Sequence, residues 1–72
     1  MPITVEITDG SLLKELVDAL TRGGCLVAVT TRSACRVLHA SAISDEEELV
    51  ELAFFVRAWQ LRHPGVTAEI SS

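Results

Sequence analysis

Apolar and polar positions alternate strictly over residues 3–8. Ile3, Val5 and Ile7 fall on one side of an extended chain and Thr4, Glu6 and Thr8 on the other, the period-two pattern of a strand with one buried face. Asp9, Gly10 and Ser11 interrupt it, and either Asp9 or Ser11 can cap a following helix by accepting from its free amides. From Leu12 the period changes. Leu13, Leu16, Val17 and Leu20 form one stripe, with Lys14, Glu15 and Asp18 outside it, as an amphipathic helix requires. Gly23 is the expected left-handed stop. Two runs rich in β-branched and small residues follow, "CLVAVTT" at 25–31 and "CRVLHASAI" at 35–43. Arg32, Ser33 and Ala34 leave room only for a hairpin turn. They lack the Asn-Gly or Asp-Gly signature that would set its register, so Cys25 can face His39 or Ala40. Only the first register puts both cysteines on one face.

A second helix opens at Ser44. Ser44 and Glu47 have capping-box spacing, and the acids at 45–48 suit the positive end of the helix dipole. Pro64 and Gly65 end it, with Gly65 at the left-handed position of a type II turn. Val66, Ala68 and Ile70 then alternate with Thr67, Glu69 and Ser71 as a last strand. The order β-α-β-β-α-β predicts a single α+β domain over residues 1–72. The fold expected is ferredoxin-like βαββαβ: a four-stranded antiparallel sheet in the order 4-1-3-2, with two helices on one face.

The second helix has more apolar surface than this layer needs. At about 100° per residue, Leu49, Leu52, Ala53, Phe55, Val56 and Trp59 share an arc of about 160°, suited to the sheet. Val50, Phe54, Ala58 and Leu61 form a second stripe. It lies either partly under the first helix or against a partner chain. The middle strands carry Leu26 and Leu38 as well as Val27 and Val37, apolar on both faces where a one-sided sheet would alternate. These two surfaces predict a homodimer or larger assembly, with Val50, Phe54, Ala58, Leu61, Leu26 and Leu38 as its interface.

Composition adds a reason for assembly. With 72 residues, 49% of them hydrophobic, the chain is globular but small, and domains of this size commonly add a disulfide, a metal or a subunit. No apolar run nears the roughly 20 residues of a membrane span. The start "MPITVEITDG" lacks the basic and apolar regions of a signal peptide, so a cytoplasmic protein is expected. There Cys25 and Cys35 would be free thiols. The net charge of −4 disfavours nucleic-acid binding, and the middle strands lack aromatics on which bases could stack. Arg22, Arg32 and Arg36 lie in an acid-free stretch ahead of the acids at 45–51, so Arg32 and Arg36 near the hairpin are candidates to hold an anion.

Catalytic signatures are sparse. No serine has an identifiable base, there is no Gly-rich phosphate loop, and the few Cys and His do not make a structural zinc site. No cofactor or metal is expected. His63 fits a helix end. An alternative function is a small enzyme or metal or thiol protein using Cys25, Cys35, His39 or the Arg32/Arg36 pair.

The junction "VEITDGSLLKEL" and the close "LRHPGVTAEI" resemble the ACT family of small-molecule regulatory domains across the chain's whole length. The family usually places Pro before the Gly at the first junction, where this chain has Asp9. The resemblance implies βαββαβ topology, paired subunits and a small anionic or amino-acid ligand, with Asp9, Gly10 and Ser11 as the ligand loop. The expectation is therefore a non-catalytic oligomerising module with a regulatory ligand. Its partners are a second copy of itself and a small molecule, with no nucleic acid and no membrane.

Overall fold

The computed structural model describes residues 3–39 and 43–71. The elements are β1 (Ile3–Ile7), one turn of 3₁₀ helix (Gly10–Leu12), α1 (Leu13–Arg22), β2 (Cys25–Thr31), β3 (Ala34–His39), α2 (Asp45–Arg62) and β4 (Ala68–Ser71). The strands form one antiparallel sheet in the order β2-β3-β1-β4, which is β4-β1-β3-β2 counted from the opposite edge. The fold is thus α+β with an open sheet.

One side of the sheet carries the core. Ile3, Val5 and Ile7 of β1, Cys25 of β2, and Cys35 and Val37 of β3 cluster with Leu13, Leu16 and Leu20 of α1 and Leu52, Val56 and Trp59 of α2. Residues of both helices share this single cluster, so both cover the same sheet face. Each of its large apolar side chains contributes roughly 1.5–3 kcal/mol on burial. The opposite face is open: Leu26 is 63% exposed and Leu38 42%, and the two are cross-strand partners.

The hairpin register pairs Cys25 with His39 and Val29 with Cys35. Both thiols therefore point to the core, where they are buried and free. The alternative partner Ala40, and the end of the expected third strand at 40–42, lie outside the described residues. Ile43 stands in a bend just before α2. Arg32 and Ser33 form the turn between the paired residues Thr31 and Ala34, the pairing is irregular between Val29 and Thr31, and Val29 is 60% exposed although its parity points inward.

Several local expectations change. The positive-φ glycine after α1 is Gly24, at 90°; Gly23 keeps φ −78°, and the amides of both turn back, to the Ala19 and Thr21 carbonyls. The last strand starts at Ala68 and not at Val66, although Val66 is buried as expected. On α2 the buried face is narrower than the arc read from the sequence: Leu49 is 40% exposed and Ala53 is exposed. Glu48 takes part of that face instead. Ser44 Oγ accepts from the Glu47 amide at 3.1 Å. Gly65 has φ 95°, with the Val66 amide bonded to the His63 carbonyl at 3.2 Å across the turn.

Candidate functional site

Among the described residues, three places bring candidate site residues or uncovered side chains together. The first is the loop after β1. Asp9 Oδ1 accepts from the Ser11 amide at 3.0 Å and from the Ser11 hydroxyl at 2.6 Å. These bonds, the hydroxyl first and the amide second, hold the Asp9 carboxyl below its usual value of 3.8. The amide that could have received a ligand anion is thus engaged by the chain's own carboxylate.

The loop does meet the hairpin. A side chain on Gly10 would come within 2.6 Å of the Arg32 carbonyl oxygen, and the Ile7 amide donates to the Ser33 carbonyl at 2.8 Å. It is the Arg32 backbone that approaches, not a guanidinium gathered towards a pocket. Arg36 lies apart, on the open sheet face between Ala28 and Thr4. The five ligand candidates, Asp9, Gly10, Ser11, Arg32 and Arg36, therefore do not form one site.

The second place is a shallow cleft of about 380 Å³ between the β2–β3 end and α2, lined by Gly23, Cys25, His39, Glu51, Leu52, Phe54 and Phe55. Glu48, 3% exposed, reaches from the first turn of α2 to accept the His39 amide at 2.7 Å. Glu51, one turn on, meets His39 Nε2 at 3.1 Å. Together they fasten the start of α2 to the end of β3.

Cys25 is the cross-strand partner of His39, but its surroundings do not favour a thiolate. Burial, then the charges of Glu48 and Glu51, push the Cys25 thiol up from 9.0, whereas a nucleophilic cysteine needs a cationic setting that lowers it. Burial also raises Cys35, and Cys35 sits four residues from His39, about 13 Å along the strand. Among the described residues no three His, Cys, Asp or Glu side chains are arranged to hold a metal ion.

His63 closes the other end of α2. Its ring stacks on Trp59 with centroids 4.3 Å apart. Nδ1 lies 2.9 Å from the Trp59 carbonyl and Nε2 2.9 Å from Glu15 on α1. Both partners are hydrogen-bond acceptors. This is a structural tie between the helices.

The third place is apolar and uncovered. On α2, Phe54 is 73% exposed, Leu61 79% and Val50 52%, and Ala58 is exposed with them. Helix α1 does not cover this stripe. The open sheet face adds Leu26 and Leu38, but Arg36 adjoins them and Glu6 stands opposite Glu69 further along the same face. The stripe on α2 was readable from helical spacing. Glu48 also falls on the buried face by that spacing, but its place among four consecutive acids read as a solvated helix start.

No protein-family model, curated protein or solved structure matches this chain.

Proposed function

We propose that this protein is a non-catalytic, self-associating module with a ferredoxin-like split βαβ arrangement. The observation that carries the reading is the exposure of Phe54 and Leu61 on an ordered helix. Contiguous apolar surface of that kind marks an interaction site. A two-fold pair buries each such side chain twice, at roughly 1.5–3 kcal/mol apiece, against an association cost of at least about 4 kcal/mol. A domain of this size gains much from the difference, since its own stability is of the order of 5 kcal/mol.

A small-molecule regulatory role, implied by the ACT-like junctions, has weaker support because Asp9 itself engages the Ser11 amide. An enzymatic role for Cys25 is opposed by the two carboxylates that disfavour its thiolate. Sedimentation equilibrium at tens of micromolar tests the reading. The expected mass is at least twice that of the 7.8 kDa chain, and a monomer throughout that range would overturn it.

A further inference from the structure

The proposal of self-association leaves open which surface pairs and in what orientation. Resting on that reading, we infer that two copies pair through the outer stripe of α2, antiparallel, about a two-fold axis crossing the helix near Val56.

Charge sets the orientation. Asp45, Glu46, Glu47, Glu48 and Glu51 lie in the first half of α2, and Arg57 and Arg62 in the second. A parallel pair would set acid against acid, with the helix dipoles also aligned unfavourably. An antiparallel pair sets each acidic half against a basic half. Neither arginine has an ion pair within the chain among the described residues.

Helical geometry sets the register. With Phe54 at zero and about 100° per residue, Val50 lies at about −40°, Leu61 at −20°, Ala58 at +40°, Glu51 at +60° and Arg62 at +80°. A two-fold axis across the helix keeps each flank on its own side and reverses its direction. Centred near residue 56, it brings Val50 to the partner's Leu61 and Phe54 to the partner's Ala58, a large side chain against a small one. The same axis brings Glu51 to the partner's Arg62. One placement therefore matches apolar volume along the middle and opposite charge along the edge. Glu51 also meets His39, but its side chain remains 48% exposed, and a carboxylate accepts several bonds.

The open sheet face is a poorer surface for a second copy. Burying it would desolvate Arg36 beside Leu26 and Leu38, together with the facing acids Glu6 and Glu69, at a cost that imperfect pairing does not recover.

Sedimentation velocity on four single variants and one mixture tests this, with circular dichroism to verify folding. Phe54→Glu, at a position already exposed, should abolish the dimer, and Leu38→Glu should leave it intact. Glu51→Arg and Arg62→Glu should each weaken self-association about tenfold or more, because each sets like charges together twice. Mixed in equal amounts, those two variants should form a heterodimer, since Arg at 51 then meets Glu at 62 and Glu at 51 meets Arg at 62. Loss of a structural bond within one chain could not produce that rescue. A dimer that survives Phe54→Glu but not Leu38→Glu would overturn this interface and leave self-association standing. Failure of the mixture to associate would overturn the antiparallel register. A wild-type monomer would overturn the proposed function as well.

Discussion

Glu48 belongs to a run of four acids, which by composition is a solvated helix start. Helical spacing gives the other answer: residues 48, 52, 56 and 59 share one face. The structure follows the spacing, with Glu48 buried beside Leu52 and its carboxylate on the His39 amide. Removing that acceptor by Glu48→Ala should cost about 1–3 kcal/mol, as for other buried hydrogen-bond partners. Glu48→Gln keeps an oxygen there and should cost less, and urea unfolding curves of the two variants measure the difference. Asp9 shows the opposite case, an exposed residue whose ionisation is set by its neighbours. Its lowered pKa makes a contribution to stability that is present above the unfolded value near 3.8 and is lost as the pH falls through the folded value. Ser11→Ala removes the larger of the two hydrogen bonds, so the Asp9 carboxyl should titrate closer to 3.8, as followed by NMR of its side chain.

Elements were legible where one local rule governs them. Strict alternation marks β1, Ser44 and Glu47 mark the start of α2, and Pro64–Gly65 marks its end. The hairpin was not legible in detail, because Arg32-Ser33-Ala34 carries no residue that demands one turn type. Its register is fixed by burial of Cys25, Cys35 and Val37 on one face, which is a tertiary effect. The stop after α1 was misplaced by one residue because Gly23 and Gly24 are chemically identical, and only the folded path assigns the positive φ to Gly24. Gly10 also has a role that sequence reading gave only to a ligand loop: it admits the carbonyl of Arg32. A methyl group 2.6 Å from that oxygen forces backbone apart, so Gly10→Ala should destabilise the fold by about 1–3 kcal/mol, in the range of other overpacked sites. The loss should appear as a lower urea midpoint, with amide shifts at Ser33 and Ile7 reporting the displaced hairpin.

Among the described residues there is one core, and the α2 stripe and the open sheet face are two uncovered apolar surfaces. That imbalance was visible in the sequence, as a second stripe on α2 and as strands apolar on both faces. What the pattern lacked was the position of α1, which decides whether the stripe is covered. If α2 pairs as inferred, folding and association are linked, and thermal stability depends on concentration. Above the dissociation constant, each tenfold rise in protein should add about 0.7 kcal/mol per chain and raise Tm by about 3–6 °C. Calorimetry across two decades of concentration measures this, and a Tm independent of concentration would count against the linkage. High salt should lower Tm at fixed concentration, since screening weakens the edge pairs.

The first and last strands lie side by side, with Thr4 opposite Ser71. The described chain therefore enters and leaves the fold at the same end of the sheet, within about one strand spacing of 4.8 Å. A surface loop of a host protein could be opened, receive this fold and close again with almost no stretch in its own path. The far end of the α2 stripe would lie near that junction, because Leu61 lines the same surface groove as Ala68 and Ile70 of the last strand. If α2 pairs as inferred, the fold inserted in that way would act as a clasp, joining two hosts through a pair of helices while leaving the backbone of each host nearly undisturbed.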